Sequence, residues 1–473
     1  MALTVSTPCC VPISRRGALS GALAALATGV LAACRTPVPG GSAEKLGAPP
    51  QPVEIRFANW VQDYVPYWEQ ILPRFTEQTK ITVTIEYIPS GNEWGTKLLA
   101  LFTAGTAPDA AHSVSHTDTK FYDAGFIRDL TPLVAREKLD LDRDYTLMGT
   151  EKWCGKLFAL PYFAEPFALY YNKSLVQQLG LKDPWETARG DWTWDDLLEL
   201  STRATRDTDG DGKVDQWGMI WPWNPPGYFG PIPWTRGADF VDWDAMRYRF
   251  DNPIFVDSVR LFQKWLMQDN IFMTGPQQSA AQQQYGKNAF QAGRSLFWFR
   301  SVTDIPRNRT AIGTSFVWDV LPVPKLDNSR PGVSLTAGHP NWMSAQTTKV
   351  EAAWQFLLWM SGPEMQGHMA ETKFLMPALK SQHPKFLTSV AGQPPEHITV
   401  FGDVFKKPHG WHFRHHNTFE TNDIWAAGID KVFRGEVPLQ QGMRDLQDEM
   451  NRKVMYGDCT PYRGLKHPIQ PTG

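Results

Sequence analysis

Trp221-Pro222-Trp223-Asn224-Pro225-Pro226-Gly227-Tyr228 sets three aromatic rings in a stretch with too many prolines for a helix. Such rings can supply stacking faces or core, and both uses stay open for each of Trp221, Trp223 and Tyr228. Trp411-His412-Phe413 offers a further aromatic ahead of the C-terminal helical stretches. Asn59 and Trp60 follow the first strand-like segment, and parallel sheets bind ligands at the carboxyl ends of their strands. Trp60 has the alternative of capping the core. Two patterns carry metal chemistry. Asp207, Asp209, Asp211 and Asp215 have the spacing of a calcium loop, yet its twelfth position is Gly218 rather than a bidentate Glu; the alternative is an Asp/Gly-rich turn. His409, His412, His415 and His416 are spaced for zinc if helical, but Gly410 and Trp411 argue for a loop.

The elements that position these residues follow from periodicity. Val53 to Phe57 alternates as a strand, Tyr64 to Thr79 has helical apolar spacing, and Ile81 to Ile88 alternates again, which predicts a β-α-β opening with parallel pairing. A helix over Lys97 to Ala104 and a buried strand over Ala110 to Val114 continue an α/β pattern. Further helical stretches are Trp194 to Arg206, Pro253 to Gln268, Glu351 to Met360, Asp423 to Phe433 and Leu439 to Met455. The chain has 473 residues, enough for two or three domains, and is 42% hydrophobic and 20% charged, which excludes a membrane bundle and a disordered polymer. Formal charge is -2, without any basic run, so nucleic acid is not an expected partner. Twenty tryptophans suggest flat, half-polar ligands.

The N-terminus reads as an address. Arg15 and Arg16 precede an apolar run from Gly17 to Ala33, closed by Leu31-Ala32-Ala33-Cys34. Residues 1–33 are expected to be a bacterial signal peptide, with Cys34 as the lipidated first mature residue. Ser14 to Leu19 resembles a twin-arginine export motif. Residues 34–52, rich in Gly, Pro and Ala, then form a flexible tether. Cys154 and Cys459 would remain in an oxidising compartment, as a disulfide or as two buried thiols.

Several segments stand in order along the chain: Gly105-Thr106-Ala107-Pro108-Asp109, Leu157 to Pro161, Leu169-Tyr170-Tyr171-Asn172-Lys173-Ser174-Leu175, Trp192 to Leu197, Ala289 to Gly293, and Glu351 to Leu357. With them the chain resembles the extracellular solute-binding proteins of ABC importers, in particular their carbohydrate-binding, maltose-binding-protein-like group. The resemblance implies an α/β fold of two lobes with a ligand cleft between them and three crossover segments. Lobe one would comprise residues 53–163 and 317–362, and lobe two residues 164–316 and 363–473. It further implies that Ser113 and His116, with Ser115 between them, line the cleft, with a satisfied surface histidine as the alternative for His116. Glu165 at the lobe crossover would accept sugar hydroxyls, with an ion pair across the hinge as its alternative use. Arg300 would reach the cleft, and Gly338, beside His339, would let backbone approach the ligand. The expected partners are a sugar, the importer permease and, through the lipid, the membrane, on the outer face of the cytoplasmic membrane or in the periplasm. Function would be carriage without chemistry and without a cofactor other than the candidate calcium. Two competing readings remain. Relatives of this fold also carry glycerol phosphates, polyols or peptides, but no cluster of Lys or Arg is apparent near Asn59, His116 and Glu165, which favours a neutral carbohydrate. A secreted glycoside hydrolase would need two carboxylates at a fixed separation.

Overall fold

The computed structural model describes residues 52–89, 92–113, 118–146, 149, 151–188, 192–327, 330–390, 392–407 and 409–456. The expected signal peptide, Cys34, residues 34–51 of the tether, Ser115, His116 and Cys459 lie outside the described residues. The opening is β-α-β as its periodicity predicts. Strand β1 (Val53–Asn59) pairs in parallel with β2 (Ile81–Tyr87) and with β3 (Ala110–His112). Helix α1 (Val65–Thr79) joins the first two, starting with Pro66 in its first turn and burying Tyr67, Trp68, Ile71 and Phe75 on one stripe. The chain leaves α1 through Lys80, whose φ of 61° turns it sharply back into β2.

Nine strands form the main sheet among the described residues. After β1 to β3 come β4 (Ala159–Asn172), β5 (Trp217–Ile220), β6 (Ser295–Ser301), β7 (Trp318–Leu321), β8 (Ser334–Met343) and β9 (His409–Gly410), in the spatial order β2-β1-β3-β8-β4-β6-β5, with β7 also on β4 and β9 on β8. The 14-residue β4 is the spine. Its first part, Ala159 to Pro166, pairs antiparallel with β8, and its second, Phe167 to Asn172, pairs antiparallel with β6 and β7. The sheet therefore changes partners between Pro166 and Phe167, where one lobe gives way to the other. A third crossing falls near Leu375 and Met376, which are buried in different cores, and the Ala164 N–H donates to the Met376 carbonyl there.

Two expected boundaries need correction. β7 pairs with Leu169 to Asn172, so residues just after 317 sit with the second lobe, and the return crossover lies inside β8. After α7 (Val350–Ser361), helix α8 (Pro363–Thr372) buries Met365 and Met369 with Ile55, Phe57 and Trp68 of the first lobe, so that lobe extends past 362. The helix expected over Pro253 to Gln268 is α-helical only for Pro253–Gln263 and finishes as a π-turn, Lys264–Gln268. Cys154 is disulfide-bonded, which removes the reading of two free thiols. Among the described residues no helix is long and apolar enough to cross a membrane.

Candidate functional site

The register of β4 on β8 builds the centre of the site. Phe163 stands opposite His339 and Glu165 opposite Ala337, so alternation puts Phe163, Glu165, Ala337 and His339 on one face. His339 is the diagonal neighbour of Glu165, and its Nε2–H donates to Glu165 Oε2 at 2.7 Å, while its ring stacks on Phe163 with centroids 4.4 Å apart. From the second lobe, Thr303, which follows β6, donates its hydroxyl to Glu165 Oε1 at 3.3 Å. Burial opposes ionisation of Glu165, but the charge and hydrogen bond of His339, with Ser301 and Arg300 nearby, hold its carboxyl at about 2. It is a fixed anion at the lobe junction.

Rings extend this centre into the first lobe. Trp60 lies parallel to His112 with centroids 5.5 Å apart and tilts over His339 at 5.7 Å. His112 ends β3, where it faces Asn341 of β8, and its Nδ1–H donates to Asn341 Oδ1 at 3.0 Å. Burial, followed by the nearby His339, pushes the His112 imidazole down to about 3, so it is neutral and its Nε2 holds a lone pair. Trp60 Nε1, His112 Nε2 and His339 Nδ1 are buried without a hydrogen-bond partner among the described residues. Three unmatched ring nitrogens around an ionised carboxylate form a surface equipped to hydrogen-bond a polar guest.

On the second-lobe side, Arg300 donates from Nε to Asp304 Oδ2 at 2.9 Å, in helix α6 (Asp304–Ile312), and lies over the Trp298 ring. Although burial works against it, Asp304, Tyr228 and Glu165 push the Arg300 guanidinium further up. Tyr228 sits edge-on to His412 and beside Phe167; burial raises its hydroxyl to about 12. Burial likewise lowers the His412 imidazole to about 4.

The structure brings Trp60, Glu165, Tyr228 and Arg300 near one another and gives other candidates hydrogen bonds and packing within the fold. Asn59 is fully buried and closes a local turn, its amide donating to the Val61 carbonyl while its carbonyl oxygen accepts from Val61 N–H. The Ser113 hydroxyl donates to Asp118 Oδ2 at 2.7 Å, a carboxylate that also accepts from Trp94 and Trp342. Trp221 is fully buried, stacked on Phe299 at 4.2 Å, and donates to the Tyr228 carbonyl. Trp223 packs edge-on against Phe262 and Phe433. Gly338 is buried in the ladder opposite Ala164, and its neighbour His339 is the residue that reaches Glu165. Trp411 covers Gly149, where an added Cβ would stand 2.7 Å from its ring, and so sits at the lobe junction. His112, Thr303 and Asp304 were not anticipated, because only the pairing of β3, β4 and β8 and the turn after β6 bring them to Glu165.

Asp207, Asp209 and Asp211 converge, with ligand oxygens within 4.8 Å of one another on the surface. Both Asp207 oxygens already accept backbone N–H groups, from Gly210 and Gly212. Asp215 accepts from Thr208 and pairs with Arg294, so it turns away from the other three. The four histidines do not converge on a zinc site. His409 bonds the Lys407 carbonyl, His415 lies near Thr421 and Tyr248, His416 bonds Asp123, and His412 faces Tyr228.

The model of the family described as bacterial extracellular solute-binding protein matches residues 59–367, well over half of the chain. An erythritol/L-threitol-binding protein of Mycolicibacterium smegmatis is 22% identical over 88% of this chain and 91% of its own length. An uncharacterised lipoprotein of Streptomyces antibioticus is 27% identical over 185 residues, which are 38% of each chain. Among solved structures, an ABC substrate-binding protein from Listeria monocytogenes in complex with cycloalternan superposes with a TM-score of 0.74 at 18% identity, covering 85% of this chain and 99% of the other. With a carboxylate and unmatched ring nitrogens gathered where two α/β lobes meet, and a family match that runs through both lobes, the chain belongs to the bacterial extracellular solute-binding proteins.

Proposed function

We propose that the chain is an exported lipoprotein, anchored through Cys34, that captures a sugar or oligosaccharide between its lobes and delivers it to an ABC importer permease. The observation that carries the ligand class is the Glu165 centre. A carboxylate held at about 2 accepts hydroxyl protons, Trp60 offers an indole face and edge donor, and the His112 and His339 nitrogens add two further hydrogen-bonding positions. The relatives support a polyhydroxylated cargo, since one is named for small polyols and another was solved with a cyclic oligosaccharide. Carriage fits the centre better than glycoside hydrolysis. A general acid needs a raised pKa, whereas Glu165 is depressed, and Asp304, the second acid, is paired with Arg300 and Arg307.

A thermal-shift screen of the protein against monosaccharides, α- and β-linked oligosaccharides, polyols, glycerol phosphates and peptides, with Trp fluorescence alongside, tests the reading. A ligand that binds only the folded state adds about 2.7 kcal/mol at a hundredfold excess over Kd. A shift with one polyhydroxylated class supports the proposal, and a response to peptides alone overturns it. For the anchor, Cys34→Ala should move the protein from the membrane fraction to the soluble one.

A further inference from the structure

Cys154 is disulfide-bonded and is the one cysteine among the described residues, so its partner within the chain is Cys9, Cys10, Cys34 or Cys459. It stands at the tip of a hairpin, Lys152–Trp153 paired with Lys156–Leu157, where Cys154 at φ 54° and Gly155 at φ 74° make the two-residue turn. That hairpin belongs to the first lobe. Trp153 donates from Nε1 to Asp123 at 3.0 Å, Lys152 pairs with Asp142, and the Leu157 N–H donates to the Thr131 hydroxyl. Asp123 ends α3 (Thr119–Asp123), which packs on α2 (Asn92–Thr103) through the rings of Phe121 and Phe102. The chain that comes to meet the hairpin belongs to the second lobe. Helix α10 (Leu439–Lys453) packs against α9 (Thr418–Phe433) and α5 (Pro253–Gln263), and its Gln447 and Asn451 accept from the N–H groups of Phe250 and Tyr248. Beyond α10 the Met455 carbonyl accepts from His416 N–H, and the Tyr456 hydroxyl donates to the Met246 carbonyl at 3.3 Å. The Tyr456 ring stacks on Trp153 with centroids 6.1 Å apart. The last described residue of the second lobe thus lies beside the residue that precedes Cys154.

We infer that Cys154 pairs with Cys459 and that this bond straps the end of the second lobe to the first. Reach allows it: the three residues from Tyr456 to Cys459 span at most about 10 Å, and a bridge needs Cα atoms about 4.4–6.8 Å apart. The export reading removes the other three cysteines, since Cys9 and Cys10 leave with the signal peptide and Cys34 carries lipid; for that step the inference rests on it. The bond forms by exchange with a disulfide-bearing oxidant outside the cytoplasm: the two thiols lose two protons and two electrons, and the oxidant's disulfide becomes two thiols. The contacts of His416 with Asp123 and of Tyr456 with Trp153 can part when the lobes hinge about β4 and β8, but a covalent bond cannot. A chain tied here opens less, so more of it stays in the closed form that holds cargo.

Tryptic digestion of the purified protein without reductant, read by mass spectrometry, tests the pairing. The peptides of residues 153–156 and 454–463 should appear joined and should separate on reduction with a phosphine. A bond from Cys154 to Cys34 would overturn this inference together with the lipid anchor; a bond to a second chain, or a free Cys154 thiol, would overturn this inference alone. Small-angle scattering of the cargo-free protein then tests the strap. Reduction, Cys154→Ser and Cys459→Ser should each enlarge the radius of gyration, and the phosphine should add nothing to either variant, since all three remove the same bond. An unchanged far-ultraviolet circular dichroism spectrum distinguishes opening from unfolding. Should a variant fail to fold, reduction of the folded wild-type chain makes the same comparison. Oxidised and reduced chains of equal radius overturn the strap even where the peptides are joined, and leave the carrier reading intact.

Discussion

At the residue scale, the Glu165 to His339 bond bears on acid stability and, under the proposed carrier function, on cargo affinity. The folded carboxyl sits at about 2 against an ordinary value of 4.5, a depressed pKa. Its stabilising contribution is therefore complete above about pH 4.5 and lost as pH falls from there toward 2, on the order of 3 kcal/mol in all. Urea denaturation between pH 5 and 2 should show this loss, and Glu165→Gln should flatten it. The same variant should weaken cargo binding more than tenfold at neutral pH, because an amide is a poorer acceptor of hydroxyl protons. Glu165→Ala should also lower the melting temperature, since His339 and Thr303 lose a buried partner. Glu165 is singled out in the sequence by the resemblance of the stretch from Pro161 to Asn172 to the solute-binding family, and the structure places it at the junction of the two lobes. His112 and His339 were not read as its companions, because no local spacing links residues brought together by three strands distant in sequence. The tryptophans misled for a related reason: Trp68, Trp94, Trp221, Trp342 and Trp425 are fully buried and serve as core, a use that composition cannot separate from ligand stacking.

At the element scale, the segments that gave the chain its resemblance turn out to be scaffold. Trp192 to Leu197 carries a capping box at the start of α4 (Trp194–Ala204): the Thr193 hydroxyl accepts from Asp196 N–H, and the Asp196 carboxylate accepts from Thr193 N–H at 2.8 Å. Asn172, before Lys173-Ser174, caps the next short helix by accepting from Leu175 N–H. Asp109, closing Gly105 to Asp109, accepts from Arg56 N–H and Thr347 and pairs with Lys349, tying β1 to the segment after β8. Fold was therefore readable from such motifs, while the binding groups, which answer to the ligand, left no comparable local pattern. Thr193→Ala should cost about 1 kcal/mol in denaturant unfolding without changing cargo affinity, whereas a capping residue that touched ligand would change both. The acidic surface turn makes a contrasting prediction. Because Asp207 and Asp215 already have protein partners, calcium and a chelator should leave the melting temperature within about a degree of each other; a rise of several degrees with calcium would show that these bonds yield to the ion.

At the scale of the whole molecule, an ion pair and a histidine–carboxylate hydrogen bond among the described residues bridge the lobes and bear on how they separate. Arg307 of α6 donates from Nε to Asp63 Oδ2 at 2.9 Å, joining the second lobe to the turn after β1, and His416 donates from Nε2 to Asp123 at the end of α3. Both contacts connect bodies that also meet through β4, β8, the crossing at Leu375 and the packing of Trp411 on Gly149, so hinge opening about the crossover segments stretches them. The Asp63 to Arg307 pair is exposed, and pairs of that kind contribute roughly 0.2–1 kcal/mol. That is small against unfolding but large for an equilibrium between open and closed forms of similar energy, where about 1 kcal/mol changes the ratio roughly fivefold. Arg307→Gln should therefore enlarge the radius of gyration measured by small-angle scattering without cargo and leave it unchanged at saturating cargo. Asp63→Asn should do the same, and the double variant should add little to either single one, since both remove the same bond. A radius that does not respond in any variant would mean that the crossover strands and the Cys154 bridge set the lobe angle, with the ion pair following rather than biasing it.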